Sequence, residues 1–99
     1  MYANRNPQRS FMKIYYTPDF RENFKKLDLK FKKIVLLKIE FFKKDPLHPS
    51  LRMHPLKGKL SGFWSISINQ NYRIILKRKS NGDIVFYSIG KHDVYRNYL

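Results

Sequence analysis

Cysteine is absent from this sequence, and glycine is scarce. Without cysteine the chain has no disulfide framework, no thiolate nucleophile and no cysteine-based zinc site. The four glycines form no glycine-rich loop followed by Lys-Ser or Lys-Thr, which argues against a nucleotide cofactor. The three histidines, at positions 48, 54 and 92, lack the close helical spacing of a zinc site. We therefore expect no metal and no cofactor, so any catalysis has to use His, Arg, Lys, Tyr or carboxylates.

Long hydrophobic runs are also missing. The longest apolar run, Ile34–Leu37, is far too short to cross a bilayer, and no signal peptide precedes it. We therefore expect a cytoplasmic protein with no membrane partner.

Acidic residues are few against the basic ones: 7 Asp and Glu against 21 Lys and Arg, a formal charge of +14. Nine cations lie between Arg21 and Lys44 and nine between Arg52 and Arg96, interleaved with aromatic and aliphatic residues. A disordered basic arm would lack the residues for a core, so this pattern indicates a globule with a positive face. Nucleic acid is the partner that such a charge suggests.

The 99 residues, 42% of them hydrophobic, are enough for one domain and too few for two. We expect a polar leader over residues 1–11, either a flexible arm or no native part of the domain, and one domain over residues 12–99. The expected fold is α+β: an N-terminal strand, a helical hairpin on one face of an antiparallel sheet, a β-meander and a short C-terminal element. The predicted elements are a strand over Met12–Tyr16, helices from Thr17 to about Leu27 and over Asp28–Lys44, an extended loop over Pro46–Pro55, strands over Phe63–Ile68, Tyr72–Arg78 and Asp83–Ile89, and a glycine break with a short turn or tail over Gly90–Arg96.

Local signals support these elements. Thr17 followed by Pro18 and an acid is typical of a helix start. In the second helix, helical spacing predicts a core stripe of Phe31, Ile34, Leu37 and Phe41. The turns are predicted at Asn69–Asn71 and at Asn81-Gly82.

With metals and cofactors set aside, the chemistry left for a basic protein is that of RNA's own 2′-hydroxyl. A base removes its proton, the oxygen attacks the adjacent phosphate, and an acid protonates the departing 5′-oxygen. A cation must stabilise the charge on the phosphate, and the fork of arginine suits this best. Strand alternation sends Arg73 to the face opposite Tyr72, Ile74 and Leu76, so it faces water or a ligand; most strand arginines simply face water.

Three segments resemble the RelE/ParE toxin superfamily, and within it the YafQ-like and RelE-like ribosome-dependent mRNA endonucleases. They are His54–Trp64, with a His-x-Leu-x-Gly pattern, Tyr72–Ile75, and Ile89–Tyr95, with a Gly-x-His pattern. No one motif is diagnostic, but they stand in the family's order, and the likeness covers roughly Met12–Leu99.

The resemblance implies a toxin of a type II toxin-antitoxin system: a metal-independent endoribonuclease, or mRNA interferase, that hydrolyses mRNA on the ribosome and is held by an acidic antitoxin. It implies that Arg73 stabilises the phosphate, that His92 is the acid for the 5′-oxygen, and that Tyr95 orients or stacks on RNA. His54 matches an active-site histidine of the YafQ-like branch, for a general-base or phosphate-binding role. Three lysines that flank the expected site are candidates for binding RNA phosphates, although each alone is more often a solvated lysine: Lys57, Lys59 and Lys91.

The sequence departs from the family pattern. Ser65 and Ser67 stand where RelE-like members have lysines, and Ser67 and Asn71 stand where YafQ-like members have His and Asp, so the resemblance does not identify the general base. Two alternatives stay open. One is a non-enzymatic inhibitor of DNA gyrase of the ParE type, and the other is a basic RNA-binding protein without catalysis, whose binding would depend strongly on salt. Trp64 and Tyr72 alternate with core residues, and we expect them to pack there rather than stack on bases.

Overall fold

The computed structural model describes residues 13–91. Within them the chain forms a five-stranded sheet with two helices on one face. The sheet order is β1-β5-β4-β3-β2, and β1 pairs parallel with β5 while the other pairs are antiparallel. The elements in chain order are β1 (Ile14–Tyr16), α1 (Pro18–Lys25), α2 (Leu29–Lys44), β2 (His54–Pro55), β3 (Phe63–Ser67), β4 (Tyr72–Arg78) and β5 (Ile84–Lys91).

The expected α+β fold and the antiparallel meander of β3, β4 and β5 are confirmed. The sheet as a whole is mixed rather than antiparallel. The chain passes from β1 through the helical hairpin to β2 at the opposite edge, and the strands that follow lead back to β5, which lies parallel beside β1. Both predicted turns are present: Asn69 Oδ1 accepts hydrogen bonds from the backbone N–H groups of Asn71 and Tyr72, and Gly82 has a φ of 93°. The predicted leader over residues 1–11 and the tail beyond Lys91 lie outside the described residues.

Helix α1 begins where the sequence predicts and ends earlier. Thr17 Oγ1 accepts a hydrogen bond from the Phe20 N–H and donates one to the Tyr87 carbonyl, so one hydroxyl caps α1 and joins it to β5. The predicted end near Leu27 is wrong by two residues: α1 stops at Lys25, and the Leu27 N–H bonds to the Phe24 carbonyl in a tight turn. The next helix then starts cleanly, because Asp28 Oδ1 caps α2 through the Phe31 N–H.

The predicted core stripe of α2 is wrong at its two middle positions, Ile34 and Leu37. The residues of α2 that are buried are Val35, Ile39 and Phe42, whereas Ile34 and Leu37 are 40% and 70% exposed. Nine of the 16 residues of α2 are apolar and they surround the helix, so several stripes fit the helical period equally well. Phe31 and Phe41 are partly buried at the margin of the core.

The core lies between the helices and one face of the sheet. Phe20 and Phe42 pack against Phe86 of β5, with ring centroids 5.7 and 5.8 Å apart. The members of the core cluster are Phe20, Val35, Ile39, Phe42, Leu51, Ile66, Ile68, Ile74, Leu76, Ile84, Phe86 and Ile89. Trp64 and Tyr72 pack against this cluster, as the sequence predicts. The rings of Tyr72 and Phe31 are in contact, with their centroids 4.7 Å apart.

Near the candidate site the structure differs from the predicted elements in two places. The predicted loop over Pro46–Pro55 contains a 3₁₀ turn at Pro49–Leu51 and the short edge strand β2, which pairs with β3. The predicted break at Gly90 is absent, because β5 continues through Gly90 and Lys91 to pair with β4. No helix within residues 13–91 combines the length and the apolar character needed to cross a membrane.

Candidate active site on the open face of the sheet

Arg73 and His54 lie on the same face of the sheet, the face that the helices leave uncovered. Residues paired directly across antiparallel strands share a face. His54 pairs with Ser65, and Ser67 pairs with Arg73; Ser65 and Ser67 are two residues apart on β3. Ordinary strand spacings put the Cα atoms of His54 and Arg73 about 12 Å apart, so two inward-reaching side chains can meet one phosphate group between them.

The Arg73 guanidinium is available to a ligand. No ion pair or side-chain hydrogen bond engages it among residues 13–91, where the ion pairs are Lys25–Glu22 and Lys43–Glu40. On its other side Arg73 pairs with Gly90, so β5 places no side chain beside it on this face. An arginine with a side-chain-free neighbour provides both the fork and the space that a phosphate requires.

A backbone contact orients the imidazole of His54. Its Nδ1 lies 2.9 Å from the Arg52 carbonyl oxygen. A carbonyl oxygen can only accept a hydrogen bond, so Nδ1 carries the proton and donates it. In the neutral ring the lone pair is therefore on Nε2, at the exposed end, and His54 is set up to accept a proton there.

Arg52 holds that carbonyl in place with an unusual backbone. Its φ is 50° and its ψ 42°, in the left-handed region, and it is the one non-glycine residue with positive φ among residues 13–91. This conformation costs a non-glycine residue roughly 1–2 kcal/mol. Strain of this kind often accompanies a functional site. The sequence offers no signal for it, and the link between Arg52 and His54 was missed there.

His48 makes the opposite arrangement on the same loop. The Ser50 backbone N–H donates to His48 Nδ1 at 3.1 Å, which caps the 3₁₀ turn, and the ring packs edge-on against Phe41 at 4.8 Å. Because an N–H only donates, the lone pair of His48 is used by its own backbone. Of the two histidines within residues 13–91, His48 has a structural role and His54 has the free acceptor.

The three RNA-binding lysine candidates are not brought together. Lys57 and Lys59 are exposed on the segment between β2 and β3, toward the end of the sheet where Phe63 pairs with Lys77. That end is about 13 Å along the strands from Arg73. Lys91 pairs with Tyr72, so it lies on the helix side of the sheet, not with Arg73. His92 and Tyr95 lie outside the described residues.

Lys77 is a cation on the open face that the sequence analysis did not select. It is on β4 four residues from Arg73, so both side chains point to the same side, and its Nζ lies 5.3 Å from the centroid of the Phe63 ring. Strand alternation alone was sufficient to find it.

Two serines complete the floor of the site. Ser65 and Ser88 flank Ile75 in the row of paired residues that begins at His54. All three are buried, and neither hydroxyl has a hydrogen-bond partner among residues 13–91. Ser65, Ile75 and Ser88 therefore form a closely packed, uncharged floor for the site. His54 and Arg73 provide the reactive groups above it.

Solved structures with this fold include several toxins. YafQ from E. coli superimposes with a TM-score of 0.69 at 17% identity, over 84% of this chain and 96% of that one. The YoeB/ParE toxin from Agrobacterium tumefaciens gives 0.67 at 21% identity, over 82% and 99%. A heterotetrameric YoeB–YefM toxin-antitoxin complex from Staphylococcus aureus gives 0.65 at 24% identity, over 82% and 97%.

Sequence comparison alone finds no relative: no protein-family model matches the chain, and no curated protein matches it significantly. The structural likeness spans most of this chain and nearly all of each toxin. The chain therefore has the fold of the RelE/ParE-type toxins, with YafQ and YoeB among its structural neighbours.

Proposed function

We propose that this protein is the toxin of a toxin-antitoxin system and a metal-independent endoribonuclease that cleaves mRNA on the ribosome. The observation that supports this most is the pair of residues on the open face. His54 donates from Nδ1 to the Arg52 carbonyl and so has a free Nε2, and Arg73 has no acidic partner among residues 13–91. A general base and a phosphate-binding cation are the groups that cleavage by the 2′-hydroxyl needs.

In the proposed reaction His54 Nε2 removes the proton from the 2′-hydroxyl next to the scissile phosphate. The 2′-oxygen forms a bond to phosphorus while the bond from phosphorus to the 5′-oxygen breaks, and Arg73 neutralises the non-bridging oxygens as the five-coordinate phosphorus forms. His92, assigned through the family resemblance, protonates the departing 5′-oxygen. The products are a 2′,3′-cyclic phosphate and a free 5′-hydroxyl.

The remaining cations fit a role in binding. Lys57, Lys59 and Lys77 lie toward the other end of the same strands, and we propose that they contact RNA phosphates beyond the scissile one, while Tyr95 stacks on or orients the RNA. Lys91, on the helix side, contributes only general attraction between a chain of charge +14 and the ribosome. We also propose an acidic antitoxin as the partner that holds the toxin in the cytoplasm, because toxins of this fold are found in complex with antitoxins.

The experiment that tests the chemistry uses translating ribosomes with a defined mRNA. We expect fragments with a cyclic phosphate at one end and a 5′-hydroxyl at the other, in buffer with or without a chelator of transition metals. An mRNA that carries a 2′-O-methyl group at the cleaved position should resist cutting there, because the attacking hydroxyl is blocked. Cleavage that survives 2′-O-methylation would disprove the mechanism. Intact mRNA with inhibited DNA gyrase would instead favour the ParE-type alternative.

A further inference from the structure

A polar pocket lies at the edge of the sheet, beside the candidate active site. It has a volume of about 210 Å³ and is bordered by α2, the loop that precedes β2, and the turn between β3 and β4. A water molecule takes up about 30 Å³ in the liquid, so the pocket has room for a phosphate group together with several waters. Its polar and charged lining residues are Lys38, Ser50, Arg52, Ser67, Asn69 and Gln70.

The two cations of the pocket have no acidic partner. Lys38 is half-buried and Arg52 is exposed, and the ion pairs within residues 13–91 involve Lys25 and Lys43 instead. Lys38 Nζ lies 5.9 Å from the centroid of the Phe41 ring, a contact that neutralises none of its charge. No Asp or Glu of the described chain lines the pocket. Two uncompensated positive charges at one small pocket attract an anion.

A backbone donor also points toward the pocket. The Ile68 N–H donates to the Tyr72 carbonyl, across to β4. Successive residues of an antiparallel strand direct their N–H groups to opposite sides, so the Ser67 N–H points to the other side of β3. There β2 begins only at His54, which pairs with Ser65, and no backbone carbonyl of residues 13–91 accepts a hydrogen bond from the Ser67 N–H. Ser67 is 8% exposed, and an unpaired N–H at a buried residue favours the binding of an added acceptor.

The pocket adjoins the candidate active site on the side of β2. Ser67 pairs with Arg73, and the Cα atoms of directly paired residues are about 4.5–5.5 Å apart. Arg52 belongs to both sites, because its carbonyl oxygen accepts the hydrogen bond from His54 and its side chain lines the pocket. An RNA strand with one phosphate between His54 and Arg73 therefore brings a neighbouring phosphate toward the pocket.

We propose that the pocket binds the phosphate next to the scissile one in the RNA strand, through Lys38, Arg52 and the Ser67 N–H. This rests on the proposed function, which supplies RNA as the substrate. A protein partner fits the pocket less well, because protein interfaces are anchored by large apolar and aromatic side chains and this lining is polar. Binding of a second phosphate fixes the register of the strand, so that the scissile phosphate is held at His54 and Arg73.

The test measures what a second phosphate adds to binding. The probes are a dinucleotide and a trinucleotide of RNA without terminal phosphates, in which every ribose carries a 2′-O-methyl group so that neither is cleaved. The ¹⁵N-labelled full chain is titrated with each probe, and the shifts of its amide signals in NMR spectra give both dissociation constants. Lys38→Gln removes one cation of the pocket. Lys33→Gln is the matched control, because Lys33 is an exposed lysine of the same helix that does not line the pocket.

We expect the trinucleotide to bind the wild type at least fivefold more tightly than the dinucleotide and to move the Ser67 amide signal. Lys38→Gln and Arg52→Gln should each reduce this advantage to less than twofold, whereas Lys33→Gln should leave it unchanged. The proposal is overturned by a wild type without the advantage, by an advantage that survives Lys38→Gln, or by an equal loss in Lys33→Gln. It is also overturned if inorganic phosphate or a short glutamate peptide moves the Ser67 signal at lower concentrations than the trinucleotide does.

The ribosomal cleavage assay separates this proposal from the proposed function. If the wild type does not cleave mRNA and the trinucleotide results are as expected, the nuclease is refuted and the phosphate site stands as part of an RNA-binding protein. If the wild type cleaves mRNA and the second phosphate adds nothing to binding, the nuclease stands and the phosphate site is refuted.

Discussion

On the helix-covered face of the sheet, Ile66, Ile74 and Leu76 pack with the aromatic rings of the core, while on the open face the alternate positions hold Ser65, Ser67 and Arg73. The two faces arise from the same strands and differ only by the parity of the residue number. On the covered face these side chains are apolar and buried. On the open face Ser65, Ile75 and Ser88 are buried as well, whereas Arg73 is half-buried and His54 is exposed. The candidate chemistry therefore lies with those two residues.

A second contrast sharpens the first. His48 and His54 are six residues apart on one loop, yet the backbone uses the Nδ1 of His48 as an acceptor and that of His54 as a donor. The Nδ1 of His48 accepts a hydrogen bond that caps a turn, whereas His54 has its Nε2 free. Residue type alone does not distinguish them, and the backbone around Arg52 does.

The largest expected effect is the difference in cleavage rate between variants of the two histidines. His54→Gln should lower the rate of ribosome-dependent cleavage by about 10²–10⁴-fold, because a general base typically contributes that much. His48→Gln, the matched control, should stay within a few-fold of the wild type. Single-turnover cleavage of a defined mRNA gives both rates, and circular dichroism checks the fold. Similar losses in both variants would remove the distinction between the two histidines.

Arg73 provides the next comparison, with Lys77 as its partner on the same strand and face. Arg73→Ala should reduce cleavage by about 10²–10³-fold, because one donor to the developing charge contributes roughly 3–4 kcal/mol. Lys77→Ala should mainly weaken binding and make it less dependent on salt. The cleavage rate at saturating RNA reports the chemical step, and the RNA concentration that gives half of that rate reports binding. Measuring both separates the two effects. A large fall in the saturated rate for Lys77→Ala would show that the cations act as a group.

On the covered face, the corrected orientation of α2 predicts unequal costs for two apolar residues. Ile39→Ala should lower the free energy of unfolding by about 2–4 kcal/mol, since the side chain is buried in the core. Leu37→Ala should change it by less than about 0.5 kcal/mol. Urea unfolding followed by tryptophan fluorescence measures both. The reverse order would restore the stripe that the sequence predicts.

The smallest effect concerns the floor of the open face. Ser65→Ala removes a buried hydroxyl that has no partner among residues 13–91, so the free energy of unfolding should rise by up to about 1 kcal/mol, with cleavage unchanged. Ser50→Ala, at an exposed serine whose hydroxyl contacts His48, provides a contrast and should not stabilise the protein. Lower stability or slower cleavage in Ser65→Ala would mean that its hydroxyl serves the site.

The elements predicted from the sequence are those with strong local chemistry. Thr17 and Asp28 cap the helices, Asn69 and Asn81-Gly82 make the turns, and alternation in β3 and β4 assigns Arg73 to the open face. The short edge strand at His54–Pro55 was missed because its pairing is supplied by β3, which is distant in sequence. The parallel pairing of β1 with β5 was missed for the same reason.

The candidate site was predicted in part. Arg73 and His54 were selected, and the structure places them on one face, whereas Lys91 is separated from them by the register of β4 with β5. The orientation of His54 depends on the left-handed backbone of Arg52, and no local pattern in the sequence reports a positive φ at an arginine. The exposed face of α2 was not predicted because the helix is apolar on most sides, so Ile34 and Leu37 were assigned to the core.

The most direct test of the account is primer extension on mRNA from cells that briefly express the wild-type chain or the double variant His54→Gln, Arg73→Ala, with the fold of the variant checked by circular dichroism. The account predicts cuts within translated regions for the wild type and none for the variant. Arrested growth with intact mRNA in cells that express the wild type, or cuts that persist in the variant, would contradict the claim that the open face of the sheet is the site of RNA cleavage.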